Sequence, residues 1–528
     1  MRDVLLHEGL APSSLSTFSS PSTATSTTAA LRTSTISNGH SSLFAALLLV
    51  ILTTSNILHY IPSPSVYTYI DLRFHSRALR KAMSFIQLLV SIGTSLILLH
   101  FTAAALSTLT SLPISAIAPL LGFSTLFAIM FSGQSNVMTP VLVVTFVFIS
   151  FGLGLFIYFS VEDVVSLQAL LPLRFGIPES GFSFVIGFML TLYQLTASPA
   201  VYQLYFSLST RHKLRLCFIL YGVFMIVASS FVFLLCSLFT DFLAHHCKLS
   251  YSLSSLFQFV RFTLHPHSLL SYTVCTAFFL LPLTVLQSLL LSSTGHIWEE
   301  WARKRFVGLS AGKQLATVQA LSFLLCSLLV AIVVVFDYFH VPLHIVVPIA
   351  FYTLCVLACI LASAFLVGHY LPFGNSKGTF VALTVSILIM ILLLSLRLTA
   401  NEPTQLQVQC AEAVVNATGK AVLKRPPMVS IELFGPLFSR AATGLAHLPL
   451  YSHPFIVTLV YIVVAAAVSW ATGGEDLFVL DWNLVVYVCS PFSPPLGKRR
   501  SFVESESFRY AQQKNNVRYP AERTFLYA

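Results

Sequence analysis

A group of polar residues that could bind a solute or an ion lies next to Pro199, within an apolar stretch of the chain. Gln194, Thr196 and Ser198 place an amide and two hydroxyls just before this proline. Pro199 cannot donate a backbone hydrogen bond, so a helix through it frees a carbonyl oxygen beside these side chains. Interrupted membrane helices bind ions and solutes in many secondary transporters, but neighbouring hydroxyls can also repair a simple proline kink. Both interpretations stay open, and the three polar residues are candidate solute ligands.

A second group of oxygen donors lies on a later apolar stretch. Thr284 and Ser288 are four positions apart, so a helix places both hydroxyls on one face. That face can offer its hydroxyls to a sodium ion or to a neighbouring helix. Spacing alone favours helix packing, and sodium binding is the alternative.

Catalytic chemistry has little support in the sequence. His100, His344 and His369 lie near the ends of apolar stretches, and none has an acidic partner or a second histidine at ligand spacing. The nine cysteines form no CxxC pair. We therefore predict no catalytic residue, no metal site and no cofactor. A membrane-embedded acyl- or lipid-modifying enzyme is an alternative that would need one of these histidines inside the bundle, beside a polar partner.

Long apolar runs must position all of these residues. Of the 528 residues, 56% are hydrophobic and 9% are charged, whereas about a quarter of a soluble domain is charged. Such runs are stable in lipid, where a peptide must satisfy its own backbone hydrogen bonds and forms a helix. The sequence predicts an all-α membrane protein with about eleven spans of roughly 20 residues each. They are residues 42–60, 83–106, 114–132, 139–160, 181–206, 215–240, 269–294, 315–337, 343–370, 378–398 and 454–472.

The charged residues orient these spans. No acidic or basic residue lies in the middle of a span, which argues against a proton pump or a voltage sensor. Lysines and arginines concentrate in the loops after odd-numbered spans and in the C-terminal tail. The positive-inside rule places those segments in the cytoplasm and explains the net charge of +10 without a nucleic-acid partner. Residues 1–41 then form a Ser/Thr-rich disordered tail, 42–474 the transmembrane domain and 475–528 a cytoplasmic tail.

The loop 399–453 follows the tenth span and is predicted to be extracellular. It contains Asn416 in the acceptor sequence Asn-Ala-Thr, so we predict glycosylation there. Cys247 and Cys410 also fall in outside loops, where disulfides are stable, and a bond between them is a hypothesis. We expect a multi-pass protein of the plasma membrane whose constant partner is the lipid bilayer. Nothing in the sequence indicates a partner protein.

Several short motifs, in the same order along the chain, resemble the sodium/solute symporter family. The resemblance is to its multivitamin and monocarboxylate branch, and the segment 65–74, SVYTYIDLRF, carries it most specifically. Weaker matches are residues 203–207, 292–300, 450–452 and 471–474. The resemblance implies an inverted-repeat bundle of five plus five helices. It also implies that sodium, moving down its gradient, carries in a small organic solute such as a monocarboxylate or a vitamin-like anion.

The chain also departs from that family. Family members have two further helices before the one matching 42–60, and the second is a broken helix that supplies half of the sodium and solute sites. We therefore expect the chain to be N-terminally incomplete. The family's adjacent Ser/Thr pair aligns with Thr284 and Val285, so only one hydroxyl is kept. The predicted function is sodium-coupled symport, and the alternative is a transport-incompetent relic, a fragment or a regulatory membrane protein of the same fold.

Overall fold

A computed structural model describes residues 41–61, 63–110, 112–132, 177–206, 212–223, 225–226, 268–306, 308–339, 343–400, 452–475 and 484–486. Helices are the regular structure throughout these ranges, which contain no strand. In chain order they are α1 (41–60), α2 (Thr68–Phe74), α3 (Arg77–Thr110), α4 (Ile114–Ser132), α5 (Ile177–Thr196), α6 (Pro199–Phe206), α7 (212–223), α8 (Ser268–Ile297), α9 (Ala311–Tyr338), α10 (Leu343–Tyr370), α11 (Ser376–Ala400) and α12 (Ser452–Ala471). A π turn, Trp298–Ala302, and the short helix Arg303–Phe306 continue α8.

The long helices have the length and composition of membrane spans. Within the described ranges five stretches qualify, in α3, α9, α10, α11 and α12, and the apolar helices in α1, α4 and α5 are shorter. Large apolar side chains face outward, with Leu120 of α4 and Leu324 of α9 each 65% exposed. All predicted spans except 139–160, which lies outside the described residues, coincide wholly or partly with described helices. The predicted all-α membrane class is confirmed.

Helix α3 belongs to both halves of the hydrophobic core. Near its start, Met83 and Val90 pack into a cluster formed mainly by α1, α2, α5, α10 and α12. Further along, Leu99 and Ala103 pack into a second cluster with α4, α8 and α9. A helix shared in this way holds the two clusters in register.

The described connections between helices lie at two opposite ends of the bundle. At one end, which we call the basic end (residues 61, 63–76, 298–306, 308–310, 371–375 and 475), the backbone N–H of Glu475 donates to the Phe373 carbonyl at 3.0 Å. At the other end, the backbone N–H of Ser115 donates to the Asp337 carboxylate at 3.0 Å. The described parts of the connections after the first, seventh and ninth predicted spans lie together at the basic end.

Helices α11 and α12 approach each other closely at Gly378. A methyl group built on this glycine would lie 2.1 Å from Ser469 Oγ and 2.8 Å from the Ala465 carbonyl. Asn375 begins α11 beside this contact, because its Oδ1 accepts the Gly378 N–H at 2.8 Å and its Nδ2 donates to Thr472 Oγ1 at 2.7 Å. Small residues at such crossings let membrane helices pack by close backbone contact.

We predict that Gly378→Ala destabilises the protein by about 1 to 3 kcal/mol, because the added methyl group overpacks the α11–α12 contact. Thermal unfolding in detergent measures the change. Gly312→Ala is the matched control, since a methyl group at Gly312 meets nothing within 4 Å. Equal unfolding temperatures for the two variants would contradict the packing argument.

Candidate functional site

The sequence left both a broken helix and a simple kink open at Pro199, and the structure has a two-residue interruption there between two helices. Helix α5 ends at Thr196 and α6 begins at Pro199, and the N–H groups of Ala197 and Ser198 both donate to the Tyr193 carbonyl, at 2.8 and 2.9 Å. Since Pro199 has no N–H, the regular hydrogen-bond ladder stops here. Ala197 and Ser198 are buried, so polar backbone is exposed to the interior of the bundle rather than to solvent.

A buried amide on α3 faces this helix break. Gln87 Oε1 accepts hydrogen bonds from the Tyr193 and Tyr67 hydroxyls at 2.9 and 3.1 Å, and its Nε2 donates to Ser91 Oγ at 2.8 Å. The Tyr67 hydroxyl also lies 3.1 Å from the Ala197 carbonyl oxygen, within the break. Gln87 was not among the residues predicted for the site, although a lone amide in an apolar run was a usable signal. Tyr67 entered the prediction only as part of a family motif.

The predicted solute ligands all lie at or beside the break. Ser198 is buried within it, and the Thr196 hydroxyl donates to the Leu192 carbonyl at 2.7 Å, which uses its proton inside its own helix. Gln194 is 4% exposed, and its Oε1 is a buried acceptor without a hydrogen-bond partner. Leaving such an acceptor unbonded costs about 1 to 3 kcal/mol, so a donor or a cation at this position would be stabilised.

The predicted sodium ligands belong to α8, which packs along α3. Ser288 is half-buried, while the side chain of Thr284 lies outside the described residues. Nearby on the same helix, Gln287 Nε2 and Ser293 Oγ are buried without hydrogen-bond partners. Helix α8 therefore carries uncharged polar groups beyond the pair predicted from spacing.

Two of the three histidines weighed for catalysis, His100 and His369, lie against aromatic rings. His100 contacts the Phe101 ring at 6.2 Å between centroids, and His369 lies 4.7 Å from the Tyr69 ring. The side chain of His344 lies outside the described residues. Across the part of the chain that the structure describes, no three His, Cys, Asp or Glu side chains group in a way that could hold a metal ion.

An ion cluster at the basic end organises the segments on that side of the break. Arg80 donates to the Glu300 carboxylate at 2.8 and 3.0 Å and to Asp71 at 3.3 Å. The Ser65 hydroxyl donates to the same carboxylate, and Lys81 Nζ donates to the Glu300 backbone carbonyl. Burial alone raises the pKa of Glu300, but the hydrogen bonds from Arg80 and Ser65 outweigh it and hold the pKa below its ordinary value.

The end of α10 is bonded by a second cation. Arg73 of α2 is fully buried, and its guanidinium donates to the carbonyls of Gly368, Leu371 and Pro372 at 3.0, 2.7 and 3.0 Å. The last carbonyls of a helix have no partner within it and carry partial negative charge. A buried arginine at this place supplies both the missing donors and the opposite charge.

A short segment after α12 packs on the same helix end. The backbone N–H of Val486 donates to the His369 carbonyl at 2.8 Å, and the Tyr69 hydroxyl donates to the Leu484 carbonyl at 3.1 Å. Leu484, Val485 and Val486 are all buried. Part of the segment predicted as a cytoplasmic tail therefore contacts the transmembrane bundle.

Three further predicted positions lie outside the described residues. They are the glycosylation site Asn416 and the two cysteines of the disulfide hypothesis, Cys247 and Cys410. They stay predictions.

No protein-family model and no curated protein sequence matches the chain. Among solved structures, it is similar to a Na⁺-coupled sialic acid symporter in a substrate-bound, outward-open state. The TM-score is 0.55 at 13% sequence identity, and the alignment covers 90% of this chain and 90% of the symporter chain. The chain shares the overall fold of this symporter.

We predict that Glu300→Gln lowers the free energy of unfolding by about 2 kcal/mol, because Arg80 loses its buried counter-charge and keeps only Asp71. Glu299→Gln, on the same π turn, is the control. It disrupts the pair of Glu299 with Arg303, whose side chain is 41% exposed, and such i,i+4 pairs contribute about 0.3 to 0.5 kcal/mol.

The same prediction has a pH dependence. Because the pKa of Glu300 is lowered in the folded protein, its contribution is complete above the unfolded value of about 4.3. That contribution is lost as pH falls through the lowered folded value. Thermal unfolding between pH 7 and pH 3 should show a smaller acid loss in Glu300→Gln than in the unmodified protein. Parallel pH curves would contradict the ion cluster's role.

Proposed function

We propose that the protein is a sodium-coupled symporter-like transporter that moves a small organic solute across the plasma membrane. The observation that carries the proposal is the buried interruption at Ala197–Ser198, placed within a symporter fold. Broken helices present backbone carbonyls and helix ends to ions and solutes near the middle of the bilayer. The solute class we propose is a monocarboxylate or a vitamin-like anion, and this rests on the resemblance of the sequence motifs.

The proposed ligands divide between two helix systems. Gln194, Thr196 and Ser198 are the proposed solute ligands, and the unbonded Oε1 of Gln194 is the group most open to a new partner. Thr284 and Ser288 of α8 are the proposed sodium ligands, since hydroxyl oxygens suit an alkali cation. Sodium is the coupling ion, and we propose no other cofactor and no catalytic role.

The alternative is a protein of the same fold that does not transport. One observation favours it: groups at the break are already bonded to each other. The Tyr67 hydroxyl reaches the Ala197 carbonyl at 3.1 Å, and the Thr196 hydroxyl is bonded to Leu192. When the donors and acceptors of a site already bond to one another, a solute or an ion forms fewer new hydrogen bonds there and binds more weakly.

We also propose that the basic end faces the cytoplasm with the C-terminal tail, and that the 399–453 loop is outside. The predicted glycan tests this. Glycosidase treatment should increase the electrophoretic mobility of the protein from mammalian cells, and Asn416→Gln should abolish the increase. An epitope added after Ala528 should bind antibody only in permeabilised cells. Antibody binding to intact cells would contradict the orientation.

Transport is tested by uptake of labelled lactate and pantothenate into transfected cells, with sodium and with choline in its place. We expect sodium-dependent uptake of at least one of them. Ser288→Ala should raise the half-saturating sodium concentration about threefold to tenfold, and Gln194→Leu should weaken solute binding about tenfold, because each removes one polar contact.

The control for these variants is Ser395→Ala. Ser395 lies exposed on α11, and its hydroxyl donates to the Leu392 carbonyl of its own helix at 2.8 Å. It should leave uptake unchanged while surface expression remains equal. Sodium-independent background for both solutes, in protein shown to reach the cell surface, would favour the non-transporting alternative.

A further inference from the structure

Two polar networks described above meet in one short stretch of chain. Ser65 donates its hydroxyl to Glu300 in the ion cluster at the basic end. Tyr67, two positions later, reaches the Ala197 carbonyl at the helix break. The segment that contributes to the ion cluster is therefore the segment that touches the candidate site.

The stretch between these contacts is internally bonded. The N–H groups of Thr68, Tyr69 and Ile70 donate to the carbonyls of the residues three positions earlier, at 3.1, 3.0 and 3.1 Å. This winds residues 65–70 into one tight turn that enters α2. A displacement of Ser65 is transmitted to Tyr67 through these bonds rather than absorbed by a loose loop.

The Tyr67 side chain is held so that its hydroxyl acts as a donor at the break. The ring is fully buried and makes edge contacts with His296 and Phe365, with centroids 5.3 and 5.8 Å apart. Burial, with Tyr193 and Glu300 nearby, raises the pKa of the Tyr67 phenol well above its ordinary value, so the hydroxyl keeps its proton.

The acceptors around Tyr67 come from two different helices. Gln87 Oε1 already accepts a hydrogen bond from Tyr193, and the Ala197 carbonyl lies in the break itself. A phenol has one proton to share between them. Any rearrangement of the break changes where that proton is best donated, and so changes the force on the turn that carries Ser65.

We infer that Tyr67 is a positioning residue that couples the helix break to the Glu300 cluster at the basic end. Rearrangement at the break moves Tyr67, the turn moves with it, and the contact of Ser65 with Glu300 changes. The coupling is a property of the fold. The interpretation that this coupling connects ion or solute binding to the basic end rests on the proposed function.

Hydrogen exchange measured by mass spectrometry on the full chain in detergent tests the coupling. Tyr67→Phe keeps the ring and removes only the hydroxyl. We expect amide exchange in a peptide covering 193–203 to rise about threefold to tenfold, as for the loss of one net hydrogen bond. Tyr69→Phe is the matched control, because it removes an equally buried hydroxyl from the same turn, and that hydroxyl donates to the Leu484 carbonyl rather than to the break. It should leave 193–203 unchanged.

A double-mutant comparison shows whether the Tyr67 hydroxyl couples Ser65 to the helix break or only stabilises the fold. Ser65→Ala should raise exchange at 193–203 in the unmodified protein but should add nothing in the Tyr67→Phe background. Additive effects, or no effect of Tyr67→Phe on 193–203, would overturn the inference. Should Tyr67→Phe fail to fold, Gln87→Met supplies a second comparison, because it leaves the Ala197 carbonyl as the acceptor for the Tyr67 hydroxyl. Ser65→Ala should then still raise exchange at 193–203, and no rise would overturn the inference.

Sodium distinguishes this inference from the proposed function. In the unmodified protein, we expect sodium to slow exchange both at 193–203 and at 65–74, and in Tyr67→Phe to slow it at 193–203 alone. Slowing at both segments in Tyr67→Phe would overturn the coupling. If sodium changes neither segment while the double-mutant comparison is non-additive, the coupling is supported and an effect of sodium on the helix break is contradicted.

Discussion

The carboxyl end of α10 is buried, and its backbone carbonyls need hydrogen-bond donors, several of which come from the basic end. In an interior without water, the last carbonyls of a helix need donors from elsewhere in the chain. Arg73 bonds the carbonyls of Gly368, Leu371 and Pro372, and the N–H of Val486 bonds that of His369. These donors tie α2 and the segment after α12 to α10. The position of α2 in turn places Tyr67 and Ser65 between the helix break and the ion cluster.

Charge and polarity are separated along the bundle. The ion cluster of Glu300, Arg80 and Asp71 lies at the basic end, and the helix break is lined by amides and hydroxyls. An unpaired charge in the interior would cost far more than an uncharged polar group. Uncharged groups can also rearrange their hydrogen bonds at small cost, as the shared proton of Tyr67 illustrates. The bundle thus has an adaptable interior and a firmly bonded end.

The sequence predicted the class of fold, and it located the helix break as one of two open interpretations. A helix that crosses lipid needs a long apolar run, and such runs are visible in the sequence, so most spans were predicted. The predicted span 343–370 has the same bounds as α10. Pro199 located the break, because a missing N–H is a local property. Gln87 was not found, since its importance comes from tyrosines on two other segments. Arg73 was interpreted only through loop charge, yet it is buried against α10. Residue spacing predicts which side chains share one face of a helix. It does not predict which residues from other helices contact that face.

The partner of the His369 carbonyl also affects how the protein is made. Val486 follows α10, α11 and α12 in the chain, so it can bond this carbonyl only after all three helices have been synthesised. The Tyr69 hydroxyl likewise donates to the carbonyl of Leu484, a residue that is synthesised much later than Tyr69. The basic end can therefore reach its final arrangement only after Val486 has been synthesised, which is later than the synthesis of every helix that it bonds.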